Sequence, residues 1–81
     1  MDNLRQKFGK RLRALRLEAN LTQEALAERV NLSVDFISLV ERGINAPSFE
    51  NIEALARVLD VQVYVLFIFD ESNPMEAPGD D

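Results

Sequence analysis

Three observations predict a small all-α domain for this chain. Between residues 4 and 59, apolar side chains recur three or four positions apart, which is the spacing of one buried side of a helix. Thr22, Ser33 and Ser48 each precede such a segment, and these residue types are favoured at helix N-caps because their oxygens accept from free backbone N–H groups. A length of 81 residues leaves room for one domain.

The first predicted helix runs from Leu4 to Leu17 and ends near Asn20, which tolerates a left-handed conformation. Its apolar side consists of Leu4, Phe8, Leu12 and Leu15. Six of the nine cationic residues lie in the same segment, namely Arg5, Lys7, Lys10, Arg11, Arg13 and Arg16. A basic helix suits a phosphate backbone and is also typical of a solvated amphipathic helix, so both interpretations stay open for this segment alone.

A pair of short helices is predicted between Gln23 and Gly43, with Asn31 in a left-handed conformation at the turn between them. Their apolar sides are Leu26, Ala27 and Val30 in the first helix and Phe36, Ile37 and Val40 in the second. Counting from Gln23, a small residue is fifth, the turn residue ninth, and β-branched apolar residues fifteenth and eighteenth. That pattern is the helix-turn-helix arrangement.

A fourth helix is predicted after the loop of residues 44–47, with Ser48 as its N-cap, Glu50 in its first turn and Asp60 at its end. Its predicted buried side is Phe49, Ile52, Leu55, Ala56 and Leu59. The residues that spacing assigns to the core of the whole domain are Phe8, Leu12, Leu15, Leu26, Val30, Ile37, Val40, Ile52, Leu55 and Leu59.

The apolar segment VQVYVLFIF, residues 61–69, is ambiguous, because its β-branched and aromatic content favours a strand. A lone strand would have no pairing partner within one chain, so a short helix is the preferred interpretation, with pairing to a second copy as the alternative. The segment has more apolar surface than a small domain buries, which predicts a homodimer contact through Val63, Tyr64, Phe67 and Ile68. Residues 1–69 form the expected domain, and residues 70–81 an acidic, mobile tail.

The net charge of −5 is unevenly distributed along the chain. Residues 1–43 hold eight Lys or Arg against six Asp or Glu, whereas residues 44–81 hold one cation against eight acids. Since local charge governs phosphate binding, the basic half is still able to face nucleic acid. The chain has no Cys and no His, so no metal or other cofactor is expected, and the usual catalytic groups are missing.

No apolar run approaches the roughly 18 residues of a membrane span, and no export leader is recognisable, so a cytoplasmic protein is expected. The sequence gives no sign of a membrane partner or a small-molecule ligand.

The stretch of residues 21–61, LTQEALAERVNLSVDFISLVERGINAPSFENIEALARVLDV, resembles the Cro/C1-type (XRE family) helix-turn-helix DNA-binding proteins. The parts that carry the resemblance are Leu21-Thr22-Gln23, Leu26-Ala27, Ile37-Ser38, Glu41-Arg42-Gly43, Pro47-Ser48 and Leu55-Ala56. The likeness extends from about Phe8 to about Leu66. It implies a compact five-helix bundle of the phage-repressor type, with the fifth helix near Val63 to Phe67.

The resemblance also implies a function, that of a sequence-specific transcriptional regulator binding double-stranded DNA. Such a protein acts as a homodimer on a near-palindromic operator, as a repressor for example. The helix Val34 to Glu41 would then enter the major groove and present Val34, Asp35, Ser38 and Leu39 to base edges. None of these four is Arg, Lys, Gln or Asn, the side chains that make the strongest base contacts. Asp35 either accepts from cytosine N4 or assists the cap at Ser33.

The phosphate contacts implied by the resemblance involve Thr22, Gln23, Arg42, Asn45, Ser48 and Arg11. Helix N-termini favour anions, and the alternative role for Gln23 and Ser48 is ordinary capping. Arg16 and Glu41 match family positions that form a structural ion pair between the first helix and the recognition helix. The alternative function is an antitoxin-like or adaptor module on the same fold, which the poorly polar reading face keeps open.

Overall fold

A computed structural model describes residues 1–69, and the predicted acidic tail of residues 70–81 lies outside the described part. Four α-helices are followed by a 3-10 helix: α1 Leu4–Glu18, α2 Gln23–Val30, α3 Val34–Glu41, α4 Phe49–Leu59 and the 3-10 helix Val63–Phe67. Residues 1–69 contain no strand, so the all-α prediction is confirmed over this range, and the ambiguous apolar segment is helical over Val63–Phe67. None of the helices in this range is long and apolar enough to cross a membrane.

The helix boundaries follow from local chemistry. The predicted N-caps Thr22, Ser33 and Ser48 each accept a hydrogen bond from the backbone N–H three residues further on, at 3.0, 3.0 and 3.1 Å respectively. Helix α2 ends at Asn31 and α4 at Asp60, both in the left-handed conformation, with φ of 60° and 58°. Asn20, just after α1, also has φ 60°. The predicted starts and ends are therefore confirmed.

The core lies between these five helices: α3 packs against α1 and α2, α4 packs against α2, and the 3-10 helix packs against α1 and α4. All the residues assigned to it by spacing are buried except Val30, which is partly exposed and packs against it. Leu66 of the 3-10 helix is fully buried as well. Two predictions of burial are wrong, since Phe49 is 84% exposed and Leu4 is 61% exposed. Each is the first residue of its helix. The neighbouring helices cover the apolar side of the later turns but do not reach this first residue.

Gly9 marks a close approach of α1 to the end of α3. A Cβ on Gly9 would collide with the Val40 carbonyl oxygen and would lie 2.5 Å from that of Glu41. Gly43, just after α3, has φ +78° and packs against Gln6 of α1. Because Gly9 and Gly43 have no side chains, the backbone of α1 lies directly against the C-terminal end of α3. This close contact positions α3 relative to the rest of the domain.

Candidate nucleic-acid interface

Helix α3 has two distinct sides. Ile37, Val40 and Glu41 are buried on the side facing the core. Of the four residues predicted to contact bases, Asp35 is exposed and Ser38 and Leu39 are partly exposed, whereas Val34 is partly buried and packs against the core. Ser33 accepts from the Phe36 N–H, and the α3 cap is therefore complete without the Asp35 side chain. Asp35, Ser38 and Leu39 are thus accessible on α3, and Val34 is accessible only in part.

Arg16 and Glu41 lie together in the interior, although both side chains carry charge. Arg16 Nε donates to Glu41 Oε2 at 2.7 Å and Arg16 Nη2 donates to Glu41 Oε1 at 3.0 Å, so the pair is bidentate. Arg16 Nη1 also donates to the Leu21 carbonyl oxygen at 2.9 Å. The hydrogen bonds that Arg16 donates to Glu41 hold the pKa of Arg16 above its usual value. The pair connects α1 to the C-terminal turn of α3 and turns the Glu41 carboxylate inward.

Gln23 is the first residue of α2, and its side chain is already engaged within the protein. Gln23 Nε2 donates to Glu41 Oε1 at 3.0 Å, the same oxygen that accepts from Arg16. The residue is partly buried, and Thr22 beside it is exposed and caps α2. The sequence did not predict the Gln23–Glu41 bond. Because of it, the N-terminus of α2 is held against the end of α3 by a polar contact as well as by apolar packing.

Three further predicted phosphate ligands follow α3 in the chain. Arg42 directly succeeds the last residue of α3 and is exposed. Asn45 is partly exposed, and its backbone N–H donates to the Leu39 carbonyl oxygen at 3.3 Å. Ser48 is exposed and caps α4 through its hydroxyl oxygen. These residues surround the C-terminal end of α3 and the start of α4, while Thr22 and Gln23 lie at the start of α2.

Arg11, the remaining predicted phosphate ligand, has a different neighbour. Its Nε donates to the Val65 carbonyl oxygen at 2.9 Å, in a partly buried contact between α1 and the 3-10 helix. The structure therefore does not group Arg11 with the residues around α2 and α3. It places Arg11 against the segment predicted to form the dimer contact.

The predicted dimer residues form an apolar surface on the 3-10 helix and the residue after it. Val63, Tyr64, Phe67 and Ile68 are 41, 66, 38 and 50% exposed. Leu66, between them, is fully buried and anchors the helix. The rings of Phe8 and Phe67 lie 5.3 Å apart, which ties this surface to α1. We call Val63, Tyr64, Phe67 and Ile68 the apolar surface below.

Sequence reasoning missed the residues that position the site from behind. Gly9 lay within an amphipathic helical pattern, where an isolated glycine indicates a packing reason and gave a usable signal. Arg5 Nη1 donates to the Ile44 carbonyl oxygen at 3.4 Å, and nothing in the local sequence indicated that contact. Gly9 thus lets α1 approach the last turn of α3, and Arg5 contacts the loop that follows α3.

Comparison with known proteins assigns the chain to a family. A family model described as helix-turn-helix matches residues 12–66, a range that includes the whole of α2 and α3. The chain belongs to the XRE-type helix-turn-helix family. Members of this family are DNA-binding transcriptional regulators rather than enzymes, which confirms the expected class.

Three relatives illustrate the match. The control protein C.BamHI of Bacillus amyloliquefaciens is 40% identical over 62 residues, which are 75% of this chain and 76% of that protein. The immunity repressor protein of Bacillus phage phi105 is 44% identical over 55 residues, 68% of this chain but only 38% of the repressor. The crystal structure of the restriction-modification controller protein C.AhdI from Aeromonas hydrophila matches with a TM-score of 0.76 and 43% identity, covering 78% of this chain and 96% of that chain. The chain thus spans most of the controller proteins but well under half of the phage repressor.

Proposed function

We propose that this member of the helix-turn-helix family is a sequence-specific regulator that binds a near-palindromic operator as a homodimer. Helix α3 enters the major groove and presents Val34, Asp35, Ser38 and Leu39 to base edges. Thr22, Gln23, Arg42, Asn45 and Ser48 contact phosphates on either side of it. Residues 1–69 form the DNA-binding domain, and action on DNA in turn implies the expected cytoplasmic location.

This proposal rests mainly on two charged residues at the end of α3, of which the acidic one is buried and the basic one is exposed. A carboxylate exposed near phosphates would oppose binding, and Glu41 is instead buried in a bidentate contact with Arg16. The neighbouring Arg42 remains exposed, so the accessible charge at this end of α3 is positive. Gln23 is fixed on the same carboxylate, which orders the start of α2, where backbone N–H groups favour an anion.

The phosphate contacts are testable through the salt dependence of binding. A selection from a random DNA pool with the full chain supplies the operator, and affinity is then measured against salt concentration. Arg42→Ala removes one phosphate contact from each of the two copies, so we expect it to reduce the slope of log affinity against log salt by about 1.8, at about 0.9 per lost contact. Arg57→Ala is the matched control, because Arg57 is an exposed cation on α4 that is assigned no DNA contact.

Gln23→Ala should also lower affinity, through lost order at the start of α2. Unchanged affinity in both Gln23→Ala and Arg42→Ala would contradict the phosphate assignment. If no DNA sequence is enriched and the chain instead binds a protein in a salt-insensitive manner, the adaptor function replaces the regulator.

The homodimer is supported by the apolar surface, whose four side chains are exposed in the single chain. An exposed apolar cluster of this kind is typical of a protein–protein contact, and a symmetric operator requires two copies of α3. Sedimentation of the full chain without DNA tests this directly. A chain that remains monomeric at tens of micromolar would contradict the dimer.

A further inference from the structure

We propose that Arg11 is a positioning residue for self-association, which holds the 3-10 helix against α1 so that the apolar surface faces a second copy of the chain. This inference rests on the homodimer of the proposed function. It gives Arg11 a role in place of the phosphate contact expected from the sequence, because the structure directs its Nε at the Val65 carbonyl oxygen.

The 3-10 helix depends on its neighbours for its orientation. It has five residues and no side-chain hydrogen bond at its N-cap. Helices this short are not stable alone, and 3-10 hydrogen bonds have poorer geometry than those of an α-helix. The direction in which Val63, Tyr64, Phe67 and Ile68 point is therefore set by contacts with α1 and α4.

Among the contacts that orient the 3-10 helix, the hydrogen bond from Arg11 is directional. Burial of Leu66 and the Phe8–Phe67 ring contact also hold the helix on the core. Val65 O accepts from Arg11 Nε at 2.9 Å and from the Ile68 N–H at 3.3 Å. Arg11 thus binds the carbonyl that closes the turn carrying Phe67 and Ile68, two of the four residues of the apolar surface.

The charge of Arg11 also suits this position. The carbonyl groups at the C-terminal end of a helix carry partial negative charge, which a cation stabilises. Hydrogen bonds that involve a charged group contribute more than neutral ones, and this contact is partly buried, so water competes with it less. A guanidinium used in this way is directed at the protein rather than at a phosphate.

Two substitutions separate the hydrogen bond from the charge. Gln places its Nε2 the same number of bonds from Cα as Arg places Nε, so Arg11→Gln keeps a donor and removes the charge. Met places a methyl group there, so Arg11→Met removes the donor as well. Arg13→Met is the matched control, because Arg13 is an exposed arginine of the same helix.

Sedimentation equilibrium of the full chain without DNA measures the effect, with circular dichroism to check folding. We expect Arg11→Met to raise the dimer Kd about tenfold and Arg11→Gln, which keeps the donor but loses the charge, to raise it about threefold, while Arg13→Met stays within about twofold of the wild type. On DNA, Arg11→Gln should keep the wild-type salt slope, since no phosphate contact is lost.

Three results would overturn the inference: a wild-type dimer Kd for Arg11→Met, a Kd for Arg11→Gln raised as far as that of Met, or a reduced salt slope for Arg11→Gln. If Arg11→Met does not fold, Arg11→Gln alone decides the question, because a wild-type dimer Kd or a reduced salt slope for this variant overturns the inference, and a Kd raised about threefold at an unchanged slope supports it. A wild-type chain that is monomeric would overturn the proposed dimer together with this inference, whereas a dimer insensitive to Arg11→Met would overturn the inference alone.

Discussion

Among the charged residues of α3, Glu41 is the one whose loss should cost the fold most. Glu41→Ala leaves the Arg16 guanidinium uncompensated where the residue is only 7% exposed, and it also removes the acceptor for Gln23. Breaking a buried pair costs about 3–5 kcal/mol, whereas an exposed site such as Asp35 changes stability by about 0.5 kcal/mol or less. Thermal unfolding by circular dichroism should therefore show a much lower Tm for Glu41→Ala than for Asp35→Ala. Equal melting temperatures would refute this role.

Gly9 permits a second prediction at the same scale, in which the sign of the effect is informative. In an unobstructed helix, Ala is more favourable than Gly by about 1 kcal/mol. At Gly9 the added methyl group would meet the backbone carbonyls at the end of α3, which do not move aside like a flexible side chain. Gly9→Ala should therefore lower the free energy of unfolding, measured with urea. A stabilised variant would show that α1 and α3 do not approach as closely as described.

At the scale of the helices, the features that could be predicted are those set by neighbours in the sequence. The caps at Thr22, Ser33 and Ser48 and the left-handed Asn31 depend on a few adjacent residues, and their chemistry is local. Phe49 has the spacing of a core residue, yet its exposure depends on where the other helices stop.

The contacts that support the candidate site could not be predicted, because they also depend on residues that are distant in the sequence. The Gln23–Glu41 bond joins residues that are 18 positions apart, and the Arg11–Val65 bond joins residues 54 apart. Spacing within one helix contains no information about either. The position of α3 in the sequence was thus predictable. The contacts that orient α3 and the contact that orients the apolar surface were not.

The turn between α2 and α3 provides a prediction at this scale. Asn31 has φ 60° and ψ 45°, a conformation that Gly adopts without strain and Asn tolerates better than Ala. Asn31→Gly should retain the stability of the wild type to within about 0.5 kcal/mol, while Asn31→Ala should lose about 1 kcal/mol, as measured by urea unfolding. Equal stability of the two variants would mean that backbone strain does not govern this turn.

The negative net charge of the whole molecule is compatible with DNA binding because the basic and the acidic residues lie in different parts of the chain. The cations concentrate in α1 and at Arg42, while α4 carries the exposed Glu50, Glu53 and Asp60. Steering by the local field therefore favours approach to DNA with the basic residues of α1 and Arg42 toward the phosphates and α4 away from them. In the proposed dimer on DNA, the same separation would keep the acidic residues of α4 away from the phosphates.

The geometry of the operator follows from the compactness of the proposed dimer. The apolar surface belongs to a 3-10 helix held directly on α1, so two copies joined there have little freedom to change the distance between their α3 helices. Inserting about 5 base pairs between half-sites that lie one helical turn apart moves them to opposite faces of the DNA. Affinity, measured by fluorescence anisotropy, should fall close to that of a single half-site, while changing the same central bases without insertion should have a smaller effect. Undiminished affinity for the lengthened operator would contradict a rigid dimer joined through Val63, Tyr64, Phe67 and Ile68.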